Sequence, residues 1–466
     1  MRNIASRCGE EMLSVLRAND DSAPHAASPE MVVSPDTIRR VALRLMPFLL
    51  LCYFISFLDR INVAFAALQM NKAIGLTTAQ YGFGAGLFFL TYCLFEVPSN
   101  LMLFRVGATR WIARIMLVWG LCAAGMAFVV GPHSFYAMRL LLGAAEAGFF
   151  PGVLFFLTLW FPTSYRGRIV SVFMAGVAIS GLLGAPISGL LLSVDGFLGV
   201  SGWQWLFIIE GVPAILLAPV CLYYLQDGPA HAQWLASTER EKLTEILDAE
   251  RRERERRKTY SVFQALTNPR VLFLAAVYFT NVCLLNSVLF FLPLILKGFG
   301  MTNIQSGFVA AIPSLFALVA VIWWGRRSDR RLERAGHAAF ANFLAGLALL
   351  ASALLVDPTA RIVAVTIAFA STLAFTPPFW SIPASFLSGA ASAGGIAAIS
   401  SLGVIGGFVA PSIIGYLRDL TGDFRYGLSA FGLLAIVLAV ALYFVGRRWE
   451  AAAAAPPLQA SQAITH

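Results

Sequence analysis

The sequence predicts an all-α polytopic membrane protein, with twelve transmembrane helices in two pseudo-symmetric six-helix bundles. Three observations carry that prediction. The 466 residues are 58% hydrophobic and only 13% charged, against about 25% charged in an ordinary soluble domain, and mean hydropathy is +0.75. Apolar stretches near the roughly 20 residues that cross a bilayer recur twelve times, six on each side of one long polar segment. The halves also echo each other. Gly325-Arg-Arg-Ser-Asp329-Arg330 ends the eighth stretch, and Asn100-Leu-Met-Leu-Phe104-Arg105-Val-Gly107 holds the matching place after the second.

Residues 1–40 are polar and irregular and lack the continuous apolar run of a signal peptide, so a disordered cytoplasmic tail is expected there. Met31 is a second candidate start. The first bundle is expected over 41–225, with spans at about 41–68, 79–103, 111–130, 134–160, 168–192 and 203–225. A cytoplasmic loop follows at 226–269, carrying the run Arg251–Lys258 and one amphipathic helix from Ser237 to Arg257. The second bundle is expected over 270–448, with spans at about 270–296, 304–324, 337–356, 361–383, 390–416 and 426–446. Residues 449–466 are an Ala/Pro/Gln-rich tail, expected to be disordered.

The net charge of +9 reports topology rather than nucleic-acid binding. Basic residues gather before span one (Arg39, Arg40, Arg44), after span two (Arg105, Arg110), after span four (Arg166, Arg168) and after span eight (Arg326, Arg327, Arg330, Arg331, Arg334). They recur in the central loop and after span twelve (Arg447, Arg448), whereas the opposite loops are sparse. Both termini are therefore expected in the cytoplasm. The six cysteines show no metal-ligand or disulfide spacing. No H-E-x-x-H or other catalytic cluster appears, so neither an enzyme nor a cofactor is expected.

The functional reading centres on four charges inside apolar spans: Asp59, Arg60, Arg139 and Glu146. A charge at membrane depth costs roughly 3 kcal/mol on insertion scales, and such residues persist where they face protein or a wet cavity and handle ions or polar solutes. A rise of 1.5 Å per residue puts Asp59 and Glu146 roughly 14 and 17 Å from the outer ends of their spans, near the midplane. Arg139 and Glu146, seven apart, share a helix face. Asp59 and Arg60 point about 100° apart, so one is expected to face the cavity and the other a neighbouring helix. A carrier that couples an anion to protons needs a permanent cation, for which the arginine fork suits a carboxylate. It also needs a carboxyl group whose protonation responds to burial and to that cation. A structural ion-pair network is the competing reading.

Longer strings narrow the identification: Leu58-Asp59-Arg60-Ile61-Asn62-Val63, Phe95-Glu96-Val97-Pro98-Ser99-Asn100, Gly143-Ala-Ala-Glu146-Ala-Gly148-Phe-Phe-Pro151-Gly152, Trp160-Phe161-Pro162, and Trp203-Gln204-Trp205-Leu206-Phe207-Ile208-Ile209-Glu210-Gly211. With the twelve spans and the G-x-x-x-D-R string, the chain resembles the major facilitator superfamily, and within it the anion:cation symporter family. The resemblance covers about Val41 to Arg448. It implies that Arg60 binds the substrate carboxylate, that Asp59 and Glu146 carry the coupling proton with Arg139 beside Glu146, and that Tyr92 contacts substrate. It further implies a cytoplasmic gate at Asp329 and Arg330, with Arg105 in the first-half copy, where Phe104 replaces the aspartate. Glu96 and Glu210 are read as gate or packing elements.

Departures from the family pattern bear on the substrate. Val177 stands where an amide is common in span five, Ser400 and Val404 replace asparagines in span eleven, and Asn286-Ser287 and Phe291 replace Tyr-Gly and Trp in span seven. Phe379, Trp380, Phe290 and Phe291 can supply an aromatic wall. Fewer hydrogen-bonding groups disfavour a polyhydroxy acid, so Asn286, Trp380 and Ser400 join Arg60 and Tyr92 as the expected substrate contacts. The expected activity is proton-coupled symport of a tartrate-, phthalate- or aromatic-acid-like carboxylate across a bacterial inner membrane by a monomer. Export of an organic anion or drug is the alternative.

Overall fold

The computed structural model describes residues 33–256, 267–331, 333–386 and 389–454. The tail expected before 33, Met31 included, the last residues of the C-terminal tail and the basic run beyond Arg256 lie outside the described residues. The first bundle comprises α1 (Pro35–Ala73), α2 (Thr78–Val106), α3 (Ala108–Gly125), the pair α4 (Pro132–Glu146) and α5 (Phe149–Thr158), α6 (Thr163–Leu191) and α7 (Gly202–Tyr224). After α8 (Ser237–Arg256), the second bundle comprises α9 (Pro269–Gly298), α10 (Asn303–Arg331), α11 (Arg334–Leu354), the pairs α12 (Pro358–Ala374) with α13 (Thr376–Phe386) and α14 (Gly389–Val404) with α15 (Gly406–Thr421), and α16 (Arg425–Ala454). Twelve helices among the described residues are long and apolar enough to cross a membrane.

Two boundaries differ from expectation. The first helix begins at Pro35 rather than 41, because Ser34 accepts a hydrogen bond from the Asp36 amide at 3.3 Å and proline opens the helix. Its first turns are then held by α8, whose Glu239 accepts from Thr37 at 2.6 Å and pairs with Arg40. At the other end, α16 continues through Ala454, past the expected start of the tail.

Span four is broken, where the apolar pattern reads as continuous over 134–160. Pro151 has no N–H to offer the Ala147 carbonyl four residues back, so the helix stops at Glu146 and restarts at Phe149. Gly148 supplies the left-handed link at φ +89°, and a Cβ there would lie 2.2 Å from the Ser99 hydroxyl. The second bundle repeats the device at Phe375, just ahead of Pro377 and Pro378. Irregular backbone at membrane depth is tolerated where it is buried in protein or lines a cavity.

The bundles are zipped together over the half of the molecule that carries the charge-poor loops, by α2 crossing α15 and α6 crossing α10. Glycines allow the approach: a Cβ on Gly82 would lie 2.1 Å from the Pro411 carbonyl, and one on Gly189 2.7 Å from that of Asn303. Asp419 of α15 accepts from the Thr78 and Ala79 amides at 3.1 and 2.8 Å, placing a carboxylate on the positive end of α2. Tyr81 donates across the same seam to the Phe290 carbonyl at 3.2 Å, and Phe291 packs edge-on to Tyr81. Phe290 and Phe291 therefore belong to this seal and not to the aromatic wall expected from the sequence. Removing the latch in Asp419→Ala should cost about 1 kcal/mol, as for a lost cap. Thiol labelling of a single cysteine at Ala85, in a background without the native cysteines, should speed up about five-fold; an unchanged rate would show that the latch does not hold the seam.

Candidate functional site

The break after Glu146 and the long first helix bring the charged residues of α1 and α4 together. Ser56 lies one turn before the adjacent Asp59 and Arg60 on α1, and the structure sends the two charges to different surroundings. Asp59 points into the first bundle and is 1% exposed. Its Oδ2 accepts from the Trp119 indole at 2.5 Å and its Oδ1 from the Asn62 amide at 3.1 Å. Arg60 faces the opening, with 20% of its side chain exposed. Its Nε and Nη2 both donate to Glu146 Oε1, at 2.9 and 2.7 Å.

Glu146 is fully buried. The same Oε1 also accepts from Ser56 Oγ at 2.7 Å, while Oε2 has no hydrogen-bond partner. An unpaired oxygen on a buried carboxylate is costly, so the arrangement has room for one more donor. The Arg60 guanidinium also sits over the rings of Tyr92, Phe57 and Phe88, with centroids at 5.0, 5.2 and 5.4 Å. These faces favour a cation and exclude water from it.

Arg139 is 1% exposed and also sits over Phe88, 5.0 Å from the ring centroid. It donates from Nη2 to the Ala85 carbonyl at 2.9 Å, and its Nε has no partner. The structure thus gives Arg139 a backbone acceptor on α2 and shares Phe88 between two guanidinium groups. Glu210, on α7, is equally buried, with Oε1 accepting from Ser188 at 2.9 Å and Oε2 unpaired. Glu96 is half-buried one turn beyond Tyr92 on α2.

The second bundle faces this cluster with aromatic surface. Tyr278 of α9 stacks on Phe379 at 5.5 Å and meets Trp380 edge-on at 5.0 Å. The same ring lies against α14, where a Cβ on Gly403 would be 2.1 Å away. Ser400, half-buried, is one turn from Gly403. Cys93 donates to the Ser401 carbonyl at 3.7 Å, so the neighbours of Tyr92 and Ser400 touch across the bundle interface. Asn286 is 3% exposed and turns its amide back to the Val282 carbonyl at 2.8 Å.

At the end rich in basic loops, Asp329 pairs with Arg334 across the short turn between α10 and α11. Arg330 and Arg105 are exposed. Where the first-half motif lacks its aspartate, Asp227 arrives from after α7 and accepts from Thr109 N and Oγ1, both at 2.7 Å. Sequence reasoning passed over Asp227, Ser56, Trp119 and Tyr278. Only Ser56 had a signal, four residues before Arg60 and so on the same helix face. No group of three metal-ligating side chains occurs among the described residues.

Comparison with known proteins places this arrangement. The family model described as Major Facilitator Superfamily matches residues 49–411. A protein of Agrobacterium vitis named as a candidate tartrate transporter is 44% identical over 88% of this chain and 94% of its own length. A quinolone resistance transporter of Acinetobacter baumannii is 39% identical over 89% of this chain and 96% of its own. The crystal structure of a bacterial homologue of the human lysosomal transporter Spinster superposes with a TM-score of 0.74 at 17% identity, covering 91% of this chain and all of that one.

Proposed function

The chain belongs to the major facilitator superfamily and is a membrane transporter, not an enzyme, and from that premise we propose that it couples an organic carboxylate to a proton by alternating access. The observation that carries this reading is the Arg60–Glu146 pair, in which the arginine is partly exposed, the glutamate is fully buried and one carboxylate oxygen is left unpaired. In the empty state Glu146 neutralises Arg60. An incoming carboxylate competes for the same guanidinium, and a buried carboxylate that loses its counter-cation takes up a proton. Two states are then neutral: guanidinium with Glu146 carboxylate, or guanidinium with substrate and protonated Glu146. Half-loaded states leave an uncompensated buried charge, which costs several kcal/mol. That penalty ties the two cargoes together. Asp59, in its dry pocket against Trp119, carries or relays the proton on the far side of α1.

The wall of Tyr92, Phe88, Tyr278 and Trp380 supports a planar or sparsely hydroxylated body over a sugar acid, with Ser400 at its edge, while the Asn286 amide is occupied by its own helix. The tartrate name of one relative gives a substrate to compete against phthalate and hydroxyphenylacetate. The charge-rich loops support an orientation with both termini in the cytoplasm of a bacterial inner membrane. In that orientation the zipped seam is the outer gate, and Asp329, Arg330 and Arg105 act at the inner one.

Glu146→Gln is the test. In proteoliposomes it should abolish accumulation driven by a pH gradient yet keep substrate exchange within a few-fold of wild type, since the amide mimics the protonated acid. Retained pH-driven accumulation would reject Glu146 as the proton carrier. Export is the second reading, favoured by the relative named for quinolone resistance; expression would then confer resistance to a carboxylate drug instead of growth on a carboxylate.

A further inference from the structure

A second site lies well away from the chamber. Where α10 ends, α11 begins and α16 ends, the three helices line an open-sided cavity of about 580 Å³. Its size is that of a small-molecule site. α11 packs along α16, whereas α10 meets α11 through Trp324 and through the Asp329–Arg334 pair. That indole donates to the His337 carbonyl at 3.1 Å and stacks on Phe340 at 5.5 Å. His337 is buried in the first turn of α11, and its Nδ1 lies 2.7 Å from the Glu333 carbonyl. It forms part of the cavity wall.

The lining is split by chemistry. Arg327, Arg331 and Arg447 stand at the basic end, against the one acid Glu333. Arg447 also donates to the Tyr443 hydroxyl at 2.8 Å. The remainder is aromatic and aliphatic, including Phe340, Val440 and Phe444, which are 53, 43 and 61% exposed. The apolar side continues toward the middle of the membrane, along Val437 and Leu433 on α16 and Leu347 on α11, all exposed. A soluble anion has no use for that apolar track. An amphiphile with an anionic head and hydrocarbon tails matches both halves. Basic pockets between transmembrane helices on the cytoplasmic side suit acidic lipid headgroups, because the guanidinium groups meet phosphate at the level where headgroups lie.

We infer that this cavity is a binding site for an anionic phospholipid, with the phosphate held by Arg327, Arg331 and Arg447 and the acyl chains laid along α11 and α16. The site braces the turn that carries Asp329 and Arg334, so its occupant stabilises the inner end of the second bundle.

The test uses the full chain, delipidated and returned to nanodiscs of phosphatidylcholine alone or phosphatidylcholine with phosphatidylglycerol. Lipid retention is read by native mass spectrometry and unfolding by thermal shift. Wild type should retain phosphatidylglycerol preferentially and unfold at higher temperature with it. Arg327→Gln with Arg331→Gln should cut that preference roughly tenfold. Arg110→Gln with Arg326→Gln, removing the same charge outside the cavity, should leave it intact. Equal loss in both double variants would reduce the effect to bulk surface charge and overturn the site. Equal stabilisation by inorganic phosphate in phosphatidylcholine discs would make it a soluble-anion site and overturn the lipid assignment. Phe340→Ser adds a check that does not alter charge: it should weaken retention while sparing the fold, and unchanged retention would count against the acyl track.

Discussion

Arg60→Ala is expected to abolish carboxylate uptake, and Arg60→Lys to recover little of it. The alanine variant removes the only described ion-pair partner of Glu146, leaving a fully buried carboxylate with Ser56 alone. Breaking a buried pair in this way costs about 3–5 kcal/mol, so substrate affinity should fall at least a hundredfold. Lysine keeps the charge but cannot place two donors on one oxygen, as Nε and Nη2 do, nor lie flat against Tyr92 and Phe88. Substrate-induced thermal shifts and vesicle uptake should both vanish in Arg60→Ala. Uptake near wild-type rate would remove Arg60 from the site and with it the exchange of charges proposed above.

Gly82→Leu should arrest the protein with its seam open. The missing Cβ already marks a backbone-to-backbone approach: it would sit 2.1 Å from the Pro411 carbonyl oxygen, 2.9 Å from its carbon and 3.4 Å from Gly415. Backbone cannot move aside as a flexible side chain does, so α2 and α15 must part by several ångströms. The Asp419 contacts to Thr78 and Ala79 would be lost with them. Net transport should drop to background while substrate binding from the charge-poor side persists, and a cysteine at Ala85 should label at a rate close to that of an exposed residue. Normal turnover in this variant would mean that the crossing seen here is not an obligatory state of the cycle. Gly298 provides the contrast, since nothing lies within 4 Å of a Cβ there; its alanine variant should behave as wild type.

Much of this was legible in the sequence because bilayers impose simple arithmetic. Length and apolarity located twelve spans, and charged residues inside them pointed to Asp59, Arg60, Arg139 and Glu146. The divergent facing of Asp59 and Arg60 follows from helical geometry alone, but which one faces Glu146 depended on Trp119, whose indole is 60 residues away in the chain. The break after Glu146 was available in principle, since Pro151 removes a donor four residues ahead of the interruption, yet hydropathy averages over such a gap. Phe290 and Phe291 were misplaced for a related reason: a buried phenylalanine gives the same signal in a binding wall and in a helix seam. Asn286 turning back on its own helix is equally invisible to residue type.

The interruption at Glu146 has an electrical consequence. A helix ending beside the carboxylate and another beginning three residues later set opposite poles close together, each equivalent to roughly half an elementary charge. The carbonyl end of α4 favours the guanidinium, and the amide end of α5 favours an arriving anion. Part of the polarity of the site is therefore written into the main chain, and it depends on Gly148 and Pro151, which keep the two helices apart.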